Sequence, residues 1–285
     1  MTVILDPRLT PARPDLAASH LRGQVEAREF VDPEPGFVVA PSAAGRREPR
    51  PDGPLDTEAL RGEAVQVYER FEGWAWVQLA LDGYVGYVPD TALRAQAPTP
   101  THRVGALRTF VYPGRSMKLP PLEALSIGAR VAVTGAIDDF LILADGGYVI
   151  ASQLAPLASA EPDFVAVAER FLHVPYLWGG KTSLGLDCSG LTQLALAAAG
   201  VAAPRDTDMQ EAALGEAVVF DETLSGLRRG DLVFWKGHVG ILTDPQTLLH
   251  ATAFTMTVMS EPLRVARDRI AAKSFGAITS IRRLA

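Results

Sequence analysis

Between Phe37 and Leu154 the chain repeats itself, and no other feature limits its fold so tightly. The first copy reads Gly62-Glu63-Ala64-Val65-Gln66-Val67-Tyr68, Gly73-Trp74-Ala75-Trp76-Val77-Gln78-Leu79 and Asp82-Gly83-Tyr84-Val85-Gly86-Tyr87-Val88-Pro89. The second reads Gly128-Ala129-Arg130-Val131-Ala132-Val133, Asp139-Phe140-Leu141-Ile142-Leu143 and Asp145-Gly146-Gly147-Tyr148-Val149-Ile150. These short runs alternate apolar residues with a period of two, the period of a strand burying one face. Each copy turns sharply at an Asp-Gly pair and closes on an apolar run reaching Leu93 or Leu154. An offset of about 60 residues suits two copies of a small five-stranded barrel. Ala97-Pro98-Thr99-Pro100-Thr101, between them, reads as a stiff linker.

The flanking segments have other patterns. Pro7, Pro11 and Pro14 mark an arm, with helical character expected over Leu16–Phe30. After Pro156 a helix is expected over Pro162–Leu172, with Phe164, Val167, Ala168 and Phe171 on one face. A Gly-rich loop leads to a second helix from Cys188 to Ala199, with Gly200 as its C-terminal stop. Asp231–Trp235, Val239–Leu242 and Thr247–Ala251 then read as antiparallel strands, so this last region is α+β. The expected segments are an arm with a short helix (1–30), two all-β domains (31–97 and 98–158) and an α+β domain (159–285).

A net charge of -6 argues against a nucleic-acid surface, which needs a clustered basic patch. Arg228-Arg229 and Arg282-Arg283 are isolated pairs. No segment is long enough to span a membrane. The apolar run at Met1–Leu5 is cut by Asp6 and Pro7, too early for a secretory signal, so the expectation is a cytoplasmic protein. A monomer is expected. The single cysteine, Cys188, excludes an intrachain disulfide and a multi-cysteine zinc site. It leaves three uses: buried filler, redox thiol or nucleophile.

Three motifs decide among them. Pro175-Tyr176-Leu177-Trp178-Gly179-Gly180-Lys181 precedes Asp187-Cys188-Ser189-Gly190-Leu191, and Gly237-His238-Val239-Gly240-Ile241 and Leu249-His250-Ala251 follow. Only the thiolate attacks well, and a helix N-terminus lowers a thiol's pKa. Cys188 stands at such a terminus. An imidazole can hold the proton and return it to the leaving amine. Strands joined through Asp244-Pro245-Gln246 set His238 and His250 side by side, so that His250 orients the His238 ring. No third residue at metal-ligand spacing joins the two histidines, and neither metal nor cofactor is implied.

The repeats resemble bacterial SH3-like domains, and residues 160–285 resemble the NlpC-type cysteine peptidases, papain-like enzymes that hydrolyse peptidoglycan stem peptides. The resemblance implies an α+β papain-like C-terminal domain preceded by two small all-β SH3-like barrels. It makes Cys188 the nucleophile, His238 the base and His250 its orienting partner. It also makes Tyr176, with the Cys188 N–H, a candidate holder of the oxyanion, and Trp178 in the same loop a candidate substrate contact.

Two β domains with no signal look most like the three-domain γ-D-glutamyl-L-diamino-acid peptidases of murein recycling. Those cut after D-Glu in small peptides with a free N-terminal L-Ala, the first SH3-like domain closing one end of the cleft. By position Glu48 and Tyr84 match the amine-binding pair, with Asp187 as a third partner. Ser189 and Thr207 match D-Glu-binding positions; serine is common at the second, so Thr207 departs slightly. The competing readings are a papain-like amidase or acyltransferase, and a non-enzymatic murein-binding protein.

Overall fold

The computed structural model describes residues 5–284. The chain divides into two compact units, Met1–Ala158 and Ser159–Ala285. Residues 1–4 of the N-terminal apolar run lie outside the described residues.

In the first unit, the first repeat supplies most of a seven-stranded antiparallel sheet. Its strand order is Leu55–Leu60, Ser42–Arg46, Val85–Pro89, Trp74–Leu79, Ala64–Phe71, Glu34–Val38, Leu93–Arg94. The alternation buries Val65, Val67, Ala75, Val77, Leu79 and Val88 together. The Asp-Gly turn forms at Gly83, whose φ of +76° is one that glycine adopts without steric cost. The second repeat makes three small sheets rather than one: His102–Val104 with Arg130–Val131 and Leu154–Pro156; Arg108–Val111 with Glu123–Ser126; Val133–Ile137 with Phe140–Leu143 and Tyr148–Ile150. The expected pair of barrels is therefore not matched: among the described residues neither repeat closes through backbone pairing. Both copies do end alike, with a single 3-10 turn (Asp90–Ala92, Ala151–Gln153) leading into the last strand at Leu93 or Leu154.

The helix expected over Leu16–Phe30 is absent. Leu16–Ala18 and Glu29–Val31 pair as parallel strands around a single 3-10 turn, Ser19–Leu21. Leu16, Ala18 and Leu21 pack on Tyr68 and Trp76. The Arg13 guanidinium lies 4.3 Å over the Trp76 ring. Tertiary packing on the sheet outweighs the weak helical propensity of so short a stretch.

The second unit sets helices against a six-stranded sheet. Helix α1 (Phe164–Glu169) is shorter than expected and is capped by Asp163, whose carboxylate accepts from the Val165 and Ala166 N–H groups. Helix α2 (Cys188–Ala198) is buried almost all round. It stops where glycine predicts: Gly200 has φ +79°, its N–H bonds Ala197 C=O and the Val201 N–H bonds Leu196 C=O. Helix α3 (Thr207–Ala213) follows. The strands are β1 (Leu232–Trp235), β2 (His238–Asp244), β3 (Thr247–Thr252) and β4 (Thr257–Pro262); after helix α4 (Leu263–Lys273) comes β5 (Ile278–Arg283). The sheet order is β5-β1-β2-β3-β4, with Glu216–Ala217 at the outer edge of β5. Leu263, Ala266 and Ile270 anchor α4 to the core beside Val233, Trp235 and Leu248.

Candidate active site

The thiol is placed by a close approach of glycines. A Cβ at Gly190 would lie 2.4 Å from the Gly180 carbonyl oxygen, and one at Gly180 would lie 2.6 Å from that of Gly185. Bare backbone lets the loop Trp178-Gly179-Gly180 sit against the first turn of α2. Asp187 caps that turn, its Oδ1 accepting from the Gly190 N–H at 2.7 Å and its Oδ2 from the Gly179 N–H at 2.9 Å. Arg205, which sequence reasoning passed over, grips the same carboxylate with both terminal nitrogens, at 3.0 and 2.7 Å. Ser189 Oγ donates to Asp187 at 3.1 Å and accepts from Arg205 at 2.7 Å.

This geometry corrects one expectation. Asp187 accepts five hydrogen bonds, more than its about four lone-pair sites, so it has no capacity left for a substrate ammonium. Ser189 keeps one acceptor position. Thr207, first residue of α3, is buried with its Oγ1 3.8 Å from Cys188 Sγ.

On the sheet side, Cys188 accepts a backbone hydrogen bond from Val239, next to His238. His238 Nε2 lies 2.8 Å from His250 Nδ1, so the two imidazoles do meet across β2 and β3. Gly240 makes room for this. It shares a face with His238, and a Cβ there would lie 2.6 Å from Leu248 Cδ1 and 3.2 Å from His250 Cβ. The His238 ring stacks on Phe275, with centroids 5.4 Å apart and planes 5° apart. Beyond His250 stands Glu261, whose Oε1 is 2.9 Å from His250 Nε2, and Arg269 bonds Glu261 in turn. Neither Glu261 nor Arg269 was singled out from the sequence. The available signal was a carboxylate in a strand-like run, Thr257-Val258-Met259-Ser260-Glu261.

The electrostatics differ from the sequence expectation. Burial pushes the Cys188 thiol up to about 11, with Asp187 adding; the Val239 N–H, Thr207 and Arg205 oppose this only in part. The helix N-terminus does not prevail, because a thiolate here gives up its water. Burial also holds His238 well below the usual imidazole range, helped by His250 and Arg269. The site thus holds a neutral thiol and a neutral imidazole. Tyr176 is half-buried, and its phenol is pushed up by burial and by neighbouring Cys188 and Asp187. Trp178 is 66% exposed, so it does not cap the core. Among the described residues no group of three or more His, Cys, Asp or Glu side chains is arranged to hold a metal ion.

Two expected substrate residues fall in the first unit, where they part company. Tyr84 is buried and lines a cavity of about 820 Å³ with Arg8, Arg13, Arg47, Asp56, Trp76 and Tyr87. Glu48 does not line it: its side chain is 56% exposed and ion-paired to Arg50 at 2.6 Å. The carboxylates in that wall are Asp6, 2.7 Å from Arg8, and Asp56, 3.1 Å from Arg47.

Residues 173–270 match the NlpC/P60 family, and residues 45–93 match the bacterial dipeptidyl-peptidase Sh3 domain. Dipeptidyl-peptidase 6 of Lysinibacillus sphaericus is 35% identical over 76% of this chain and 87% of its own length. The gamma-D-glutamyl-L-lysine dipeptidyl-peptidase of Bacillus cereus is 26% identical over 73% of this chain and 71% of its own. Among solved structures, an NlpC/P60 family protein from Bacillus cereus shares the fold with a TM-score of 0.71 at 20% identity, over 87% of this chain and 99% of that one. With its thiol at a helix start and two linked imidazoles across the sheet, the chain belongs to the NlpC/P60 family of cysteine peptidases.

Proposed function

We propose that the chain hydrolyses the γ-D-Glu–L-diamino-acid bond of murein peptides with a free N-terminal L-Ala, as a step of cell-wall peptide recycling in the cytoplasm. The observation that carries this reading is Cys188 at the first position of α2, bonded by Val239 beside the linked His238–His250 pair. The names of the relatives, two of them gamma-D-glutamyl-L-lysine dipeptidyl-peptidases, support the substrate.

In this mechanism Sγ attacks the γ-carbonyl carbon of D-Glu while its proton passes to His238. His238 Nε2 is engaged with His250, so Nδ1 is the nitrogen that receives it. The Cys188 N–H and the Tyr176 hydroxyl hold the oxyanion. As the C–N bond breaks, the imidazolium returns the proton to the leaving α-amine of the diamino acid. Water, deprotonated by His238, then cleaves the thioester, releasing L-Ala-γ-D-Glu and restoring the thiol. Thr207, beside the thiol, meets the D-Glu. Two small SH3-like domains, neither closed by backbone pairing, remain our reading of the β repeats, and a monomer that of the assembly.

The test is to incubate the full chain with L-Ala-γ-D-Glu-L-Lys and its diaminopimelate counterpart and weigh the products. We expect release of the dipeptide by the wild type, none by Cys188→Ala, and weaker cleavage of the N-acetylated peptide. A wild type that releases no dipeptide from either substrate defeats the reading.

A further inference from the structure

We propose that Glu261, held by Arg269, keeps the proton on Nε2 of both histidines and so leaves the Nδ1 lone pair of His238 to take the proton of Cys188. This rests on His238 acting as the base of the peptidase.

The chain of hydrogen bonds is fixed at its far end. Paired to an arginine, Glu261 is an acceptor only, and it is 8% exposed. His250 Nε2, 2.9 Å away, must then carry its hydrogen. The neutral His250 has only a lone pair left on Nδ1, so the contact of 2.8 Å to His238 requires His238 Nε2 to donate. His238 Nδ1 is left bare. The register makes the arrangement: His250 faces Met259 and Leu248 faces Glu261, so Glu261 is the diagonal neighbour of His250 on one face. The charged groups meeting the pair are Glu261 from β4 and Arg269 from α4. Arg269 is itself held 4.1 Å over the Phe254 ring. Burial keeps both imidazoles neutral, so the choice of tautomer is a real one.

Leucine at this position would release the chain. Arg269 and His250 both bond Oε1 of Glu261, so glutamine can present one amide oxygen to both and keep the tautomers. Leucine accepts nothing; His250 can then carry its hydrogen on Nδ1, and His238 accepts on Nε2 and turns an N–H toward the thiol. For a serine protease a wrong tautomer costs on the order of 10⁴ in kcat.

Three measurements test this. Long-range 1H–15N NMR of the histidine-labelled wild type is expected to show both rings as Nε2–H. Glu261→Leu is expected to lower kcat at least about tenfold with KM within about threefold. It should also slow iodoacetamide alkylation of Cys188, the chain's single cysteine, at least about tenfold at neutral pH. Glu261→Gln, which keeps one oxygen for both donors, should retain both rates to within about threefold. A His238 Nδ1–H in the wild type, a Glu261→Leu within about threefold of wild type, or a Glu261→Gln as slow as Glu261→Leu overturns the proposal. The NMR reading needs no variant to fold. Neither NMR nor alkylation uses a peptide, so an error in the substrate leaves them unaffected.

Discussion

Two of the second unit's carboxylate–guanidinium pairs flank its candidate catalytic residues, and they differ in what each carboxylate has left to give. Asp187 is saturated: two backbone N–H groups, a serine hydroxyl and both ends of Arg205 take all its lone pairs. It can do nothing but hold, and what it holds is the loop against the first turn of α2. Glu261 bonds both Arg269 and an imidazole through one oxygen, Oε1. One pair is a fastener, and the other has a direction. The distinction follows from hydrogen-bond arithmetic, since both pairs join the same kinds of charge.

The sharpest way to break this comparison is to remove each arginine. Arg205→Met strands a buried carboxylate and should cost about 3–5 kcal/mol of unfolding free energy. Arg269 is partly exposed, and Arg269→Met should cost only about 1–2 kcal/mol. Urea titration of the two variants measures both. Equal losses would mean that the two pairs are the same kind of device.

Glycines make the next test, because each end depends on one. Gly190→Ala would place a Cβ 2.4 Å from the Gly180 carbonyl oxygen, and backbone there cannot yield. We expect a loss of about 3 kcal/mol, with activity falling in step. Gly240→Ala meets mainly the Leu248 side chain, which can shift, and then His250 Cβ at 3.2 Å. Its stability cost should be about 1–2 kcal/mol, while kcat falls about tenfold as the His250 ring is pushed from His238. A Gly240→Ala enzyme with full kcat would show that the imidazole pair tolerates displacement.

The same contrast explains what the sequence made legible. Half of the fastener is local: Asp187, Cys188, Gly190 and the Gly179-Gly180 loop lie within a dozen residues, and cap and helix chemistry can be read from neighbours, whereas Arg205 stands 18 positions beyond Asp187 and was passed over. His238 and His250 were legible because one hairpin joins them. Glu261 depends on the register of a strand that was not read, since Ser260 and Glu261 spoil the apolar run. α4 was missed although Leu263, Ala266 and Ile270 carry helical spacing. The arm went wrong for the opposite reason, its apolar residues at Leu16–Ala18 being too few to mark either period. The raised thiol was illegible in principle. A helix start is written in sequence, but burial of Cys188 is a property of the whole packed unit.

Protons give the smallest effect and the finest separation of the two ends. Burial holds His238 and His250 below the usual imidazole range. Below about pH 6.5 the unfolded chain therefore takes up protons that the folded one refuses. Stability should fall with falling pH by up to about 1.4 kcal/mol per unit for each histidine. Glu261, held below its usual range with His250 and Arg269 outweighing burial, adds a further loss as pH falls through 4.5 and lower. Cys188 works in the other direction. Its thiol, raised from 9.0 to about 11, stays protonated in the fold while the unfolded chain has already ionised. Between those values stability should fall with rising pH by about 1.4 kcal/mol per unit. The acid limb thus belongs to the imidazole end and the alkaline limb to the helix end. Urea midpoints from pH 4 to 11 should show Cys188→Ala flattening the alkaline limb alone, and His238→Asn reducing the acid limb alone. If Cys188→Ala flattened both, the thiol and the imidazole would already share a proton in the resting enzyme, and the neutral pair described here would be wrong.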